Sequence, residues 1–226
     1  MQVDNAIDTI SKFFNELIST CVPSLVLVIS LIVMHLGPIH LLSLARLEGG
    51  VGLGLIMVGL LFALGHILLA VNQKVMKPVL TRFKLLKKFD EEKAKNRQSY
   101  QWFAEIASDR QGTVRTVWDF HDLRSVALSV SVEAALIGRR FMFISLLCSG
   151  VGTALVIVGI DYSACIFLTP QLIYSYTYAL PIYIQSVLIF GTAFLLFKQS
   201  DDFFSRAMTA PFSIAVAEMK VKKNAG

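Results

Sequence analysis

Two histidines, His35 and His66, fall inside the apolar runs of the chain. An imidazole titrates near neutral pH, and an ionisable group held within a membrane commonly serves as a proton relay or a ligand. The two are therefore the candidate intramembrane polar site. Neither run supplies an Asp or Glu as a partner. His35 lies beside Gly37-Pro38, close to one end of its run, and His66 lies a turn or two from the end of its own. Neutral imidazoles hydrogen-bonded within a helix bundle are the simpler expectation. A third histidine, His121, stands between two carboxylates in Trp118-Asp119-Phe120-His121-Asp122. No HxxxH or HExxH spacing accompanies it, and Arg115 and Asp119 pair at i,i+4, so a solvated helix face is expected there. The cysteines, Cys21, Cys148 and Cys165, are scattered and odd in number, without CxxC or Cys/His spacing. That pattern predicts no metal, cofactor or disulfide framework. Walker, GxSxG and GxGxxG motifs are absent, and the GVGLG run at 50–54 follows no strand and precedes no Lys. No catalytic residue stands out, and the chain reads as non-enzymatic.

The elements that must hold these residues are apolar helices. Of the 226 residues, 55% are hydrophobic and 16% charged, at a mean hydropathy of +0.63. An average soluble chain is about 25% charged. The excess apolar residues form runs about 20 residues long, the length that spans a bilayer. The prediction is an all-α integral membrane protein whose four transmembrane helices form two hairpins, joined by a cytoplasmic helical hairpin. Its parts are an amphipathic helix over 1–17, a first transmembrane hairpin over 18–71, a cytoplasmic helical loop over 72–140, a second hairpin over 141–197, and a cytoplasmic C-terminal helix and tail over 198–226. The first span ends at Gly37-Pro38, and the third runs from Phe141 to Ile160 with Asp161 marking its outer end. A tyrosine-rich belt follows at 162–180.

Small residues recur in the spans at helical spacing. Gly50, Gly54 and Gly59 mark the second span, and Ser145, Ser149, Gly152 and Thr153 the third. Small side chains let helices approach closely in lipid, where packing replaces the hydrophobic effect. These are the expected helix-packing positions, with contact inside the first hairpin preferred for the glycines.

Between Val71 and Arg140 lie 14 of the 21 Lys and Arg residues. A basic cluster flanking membrane spans stays on the cytoplasmic side. Both termini are then cytoplasmic, in the plasma (inner) membrane. The N-terminus has no basic stretch followed by a cleavable apolar run, so no signal peptide is expected. The +5 net charge is explained by this bias and by anionic headgroups, without nucleic acid. Within the loop, Trp102, Phe103, Trp118 and Phe120 sit on amphipathic helices and form the candidate partner surface. The expected partners are the lipid bilayer, further copies of the chain and a cytoplasmic protein. The reading that follows is a complex subunit of sensor, immunity, exclusion or defence type.

The stretch Ser149-Gly150-Val151-Gly152-Thr153 is similar to the GLxGT stretch of the MotA/TolQ/ExbB proton-channel subunits. Four spans with a short outer turn and a long internal helical loop also resemble that family's topology. The resemblance implies the alternative function, an ion- or proton-conducting oligomer. It covers a handful of residues, the fourth span lacks the family's TT…AIPA pattern, and no site residue is carried over from it.

Overall fold

The computed structural model describes residues 2–45, 50–109, 119–174 and 180–224, with side chains for 13–43, 50–107, 119–174 and 180–221. Every regular element among them is helical: α1 Gln2–His35, α2 Pro38–Ala45, α3 Val51–Val71, α4 Lys77–Arg82, α5 Glu91–Lys95, α6 Gln98–Asp109, α7 Phe120–Val130, α8 Val132–Leu168 and α9 Ile182–Asn224. Four helical segments are long and apolar enough to cross a bilayer. They are Phe13–His35, Val51–Arg82, Val132–Leu168 and Ile182–Val221, with mean hydropathies of 2.5, 2.5, 2.3 and 1.4. The third helix runs about two turns past Asp161, which is therefore inside α8 and not at its end.

The chain divides into two compact units. One joins Met1–Leu86 to Leu146–Ser200, and the other joins Lys87–Ser145 to Asp201–Gly226. The division between the units falls at 87, 146 and 201, the last two inside α8 and α9, since each of these helices gives residues to both units. The second unit holds 14 of the 21 basic and 11 of the 16 acidic residues, so it is called here the charged unit and the other the apolar unit.

In the apolar unit, α1 and α3 run in opposite directions. Gly65 of α3 lies on the Thr20 backbone, and the Ser24 hydroxyl donates to the Leu61 carbonyl at 2.7 Å. Contacts therefore descend α3 as they climb α1. Alongside them α8 runs parallel to α1: Gly150 meets Pro23, Ala154 and Val158 meet Leu27, and Asp161 meets His35. Next to α8, α9 runs antiparallel, with Gly152 against Ala193 and Phe197, Gly159 against Phe190, and the Tyr162 hydroxyl donating to Gln185 Oε1 at 2.7 Å. Pro23 is tolerated inside α1 because its ring fills the space that Gly150 leaves, where a Cβ would stand 2.6 Å from Pro23 Cγ. After α3, the backbone widens into a π-helical stretch over Asn72–Met76 before α4. Pro78 supplies the reason: it has no N–H for the Lys74 carbonyl, and its ring crowds that carbonyl.

In the charged unit, residues at i, i+3 and i+4 spacing bury one face of each helix. Phe120, Leu123 and Ala127 of α7 meet Met208, Phe212, Ala215 and Val216 of α9, with Ala94 of α5 and Phe103 of α6. Aromatic rings fill the centre. Tyr100 stacks on Phe120 at 5.6 Å between centroids and 15° between planes, and Phe212 meets Phe120 edge-on at 5.5 Å. Asp90 caps α5 by accepting from the Lys93 amide at 2.9 Å. The i,i+4 pairs Lys198–Asp202 and Asp202–Arg206 predict an exposed helix continuing from the fourth span. The segment instead supplies this core, because its apolar residues from Phe204 to Met219 recur every three or four positions.

Pro211 lies inside α9, and a proline cannot donate to the carbonyl four residues back, at Ala207. Arg124 takes that carbonyl with both Nε and Nη2 at 3.2 Å. Burial pushes the Arg124 guanidinium down from its usual value. Arg124→Met should leave the carbonyl of buried Ala207 unsatisfied and cost about 1–3 kcal/mol. Chemical denaturation in detergent measures this, and Arg124→Lys should recover only part, because an ammonium lacks the planar fork.

Candidate functional site

One cluster in the apolar unit brings together a histidine, a carboxylate and a thiol. Its geometry begins at the end of α1. Gly37 adopts a left-handed conformation (φ +88°), and its amide donates to the Ile32 carbonyl at 3.1 Å, closing the helix. The Tyr174 ring packs where a Gly37 Cβ would stand, at 2.8 Å from Cε2. Only glycine satisfies both demands. The segment after α8 is held against this corner, since the Tyr174 amide donates to the Met34 carbonyl at 2.8 Å. This fixes His35 at the last turn of α1, facing α8.

His35 Nδ1 lies 2.9 Å from the Leu172 carbonyl, and Nε2 lies 2.8 Å from Asp161 Oδ2. A carbonyl only accepts, so the proton on this side belongs to Nδ1. One further proton is then shared between Nε2 and the carboxylate. Asp161 is the sole acidic residue between Glu133 and Asp201. Cys165, one turn further along α8, is buried, with Sγ 3.9 Å from Asp161 Oδ1. The His35, Asp161 and Cys165 ligand atoms lie within 4.8 Å of one another. This polar corner rests on an apolar base of Met34, Tyr162, Cys165 and Ile173.

The histidine expectation is corrected in two ways. His35 does have an acidic partner. It comes from a different helix, 126 residues further along the chain, where a search of the histidine's own span cannot find it. His66 is exposed on α3, with Nδ1 3.0 Å from its own helix's Phe62 carbonyl and its ring 4.4 Å from the Phe62 ring. It belongs to no polar cluster among the described residues.

The small residues divide. Ser145, Ser149 and Thr153 are buried, and a Cβ on Gly152 would stand 3.3 Å from the Ala193 carbonyl and the Phe197 ring. The Ser149 and Thr153 hydroxyls donate to their own helix at the Leu146 and Ser149 carbonyls, at 3.0 and 2.8 Å, so within the chain they pack as small groups. A Cβ built on Gly50, Gly54 or Gly59 would meet no other atom of the described chain within 4 Å. Contact inside the first hairpin is thus corrected for these three. The α1–α3 seam uses Leu61, Gly65 and Leu68 instead, at the other half of α3.

The aromatic surface also divides. Phe103 and Phe120 are buried in the core of the charged unit, which corrects their assignment to a partner surface. Their helices bury these faces because α9 supplies a complementary apolar stripe. Trp118 lies outside the described residues. Trp102 is 40% exposed, with Lys220 Nζ 3.9 Å above its ring. Elsewhere in this unit a cleft of about 290 Å³ is lined by Lys87, Lys88, Lys93 and Arg97 together with Asp201 and Asp202. No family model, curated protein or solved structure matches this chain.

Proposed function

We propose that the chain is a four-span subunit of a homo-oligomeric complex in the plasma (inner) membrane, and that its charged unit docks a cytoplasmic protein partner. It acts by association and not by catalysis, in a sensor, immunity, exclusion or defence role. The spans pair as two hairpins, with both termini and the charged unit in the cytoplasm, as the basic residues around α4 and the charged unit favour.

The observation that carries this reading is the bare half of α3. All ten residues from Val51 to Leu60 are exposed, and apart from glycines they are Val, Leu, Ile and Met. Water does not tolerate an apolar helix exposed on every side. Lipid covers the larger side chains, and a second copy covers the glycine face, where close approach gains packing that lipid cannot match. In the charged unit, Trp102 beside Lys220 supplies an amphipathic anchor of the type that dominates protein contacts.

Gly54→Leu tests the association. Nothing in the described chain stands near Gly54, so the thermal stability of the monomer in detergent should be unchanged. The oligomer should dissociate, by about 1–3 kcal/mol of overpacking at each contact, as read by native mass spectrometry in mild detergent. A wild-type protein that is strictly monomeric and carries no partner would remove the proposal. The rival reading, an ion- or proton-conducting oligomer, would use the same bare face of α3 at the axis. Liposomes holding the purified protein would then pass ions under an imposed potential or proton gradient, and the docking subunit would not.

A further inference from the structure

We propose that His35, Asp161 and Cys165 form a zinc site at the corner between α1 and α8. The set offers one imidazole nitrogen, one carboxylate oxygen and one thiolate sulfur, the mixed donors that a borderline ion such as Zn²⁺ takes. The distances fit the ion. Zn–ligand lengths of about 2.0–2.3 Å place tetrahedral ligand atoms roughly 3.3–3.6 Å apart. Nε2 and Oδ2 stand at 2.8 Å, Sγ and Oδ1 at 3.9 Å, and all the donors within 4.8 Å. Binding would open the Nε2–Oδ2 pair and draw Sγ toward the carboxylate by rotation of the side chains.

The surroundings prepare the ligand. A metal-bound histidine typically donates its other ring N–H to a carbonyl or carboxylate, which fixes the tautomer and aims the free nitrogen. The Leu172 carbonyl does this for His35 at Nδ1 and leaves Nε2 turned toward Asp161. Leu172 is itself held by the short turn over Pro170–Leu172, and Tyr174 ties the following residues to Met34. The sulfur is buried while the imidazole and carboxylate are 30% and 38% exposed, so the helix packing leaves the ion an approach on that side. Three protein ligands leave a fourth position to water. On binding, Zn²⁺ replaces the proton shared by Nε2 and Oδ2, and the Cys165 thiol loses its own. Two protons leave as one dication enters.

The consequence is a clamp between helices that are distant in sequence. Zinc would tie the end of α1 to α8 and to the segment after it, at the point where His35 otherwise relies on two hydrogen bonds.

The test uses the full chain in detergent after chelator treatment, titrated with Co²⁺ and then Zn²⁺. One Co²⁺ should bind per chain with a thiolate-to-metal charge-transfer absorption, and Zn²⁺ should displace it. Cys165→Ser should abolish the absorption, while Cys148→Ser should retain it. His35→Gln and Asp161→Asn should each weaken binding at least about 100-fold. Alkylation of the wild-type protein gives a readout free of folding defects: Zn²⁺ should protect Cys165 and leave Cys21 and Cys148 as reactive as before. Less than stoichiometric binding, a charge-transfer band that survives Cys165→Ser, or Cys165 alkylated at the same rate with and without Zn²⁺ would overturn the proposal.

Discussion

Phe120→Ala is expected to destabilise the charged unit by about 3–5 kcal/mol. The ring is 0% exposed and touches Tyr100, Phe89 and Phe212, with centroids at 5.6, 5.7 and 5.5 Å. Its removal would open a cavity where α6, α7 and α9 meet. Those neighbours cannot collapse into it, because each is held by its own aromatic contact: Phe103 and Phe212 lie at 5.8 Å, and Tyr100 and Phe212 at 5.1 Å. A domain is stable by only about 5–15 kcal/mol in total, so the variant should lie near the limit of folding. Trp102→Ala is the matched comparison. It removes a larger side chain from a neighbouring helix face, but the site is solvent-exposed and the expected loss is within about 1 kcal/mol. Chemical denaturation of both variants in detergent separates a core role from a surface role. Equal losses would show that Trp102 is packed and Phe120 is not the centre of this unit.

Gly65→Leu should be the most damaging change in the apolar unit. A Cβ at Gly65 would overlap the Thr20 carbonyl carbon and oxygen, which are backbone atoms and cannot rotate away. The helices would have to separate. That would pull the Ser24 hydroxyl from the Leu61 carbonyl. The expected cost is about 3 kcal/mol, the upper part of the usual overpacking range, because no side chain can yield. The thermal midpoint of the monomer in detergent measures it. Gly54→Leu, on the same helix, should leave that midpoint unchanged. If the two variants behave alike, the α1–α3 contact does not run through Gly65.

The contrast between these glycines shows what a sequence can convey. Helical class, and four helices long and apolar enough to span a bilayer, follow from run length and composition, and the apolar periodicity over 98–108 marks the helix that is α6, Gln98–Asp109. The face of a helix that meets a neighbour is another matter. Glycine spacing is the same whether a face packs within the chain or outside it, so Gly50, Gly54 and Gly59 stand out in the sequence while Gly65 carries the seam. The aromatic residues of α6 and α7 have an apolar stripe in either case. Whether it faces a core or a partner depends on α9, whose residues Phe204 to Met219 look like an exposed tail until they pack. His35 is visible as a polar residue in an apolar run. Its partners are not, because Asp161 and Leu172 come from far along the chain and no local motif joins them.

The measurement that tests the central claim most directly is sidedness in intact cells. Single cysteines in a cysteine-free background, at Gly49, Asn96, Tyr174 and Gly226, are challenged with a membrane-impermeant thiol reagent before and after permeabilisation. The account predicts labelling at Gly49 and Tyr174 in intact cells, and at Asn96 and Gly226 only once the membrane is opened. Labelling of Asn96 in intact cells would place the charged unit outside and contradict the account.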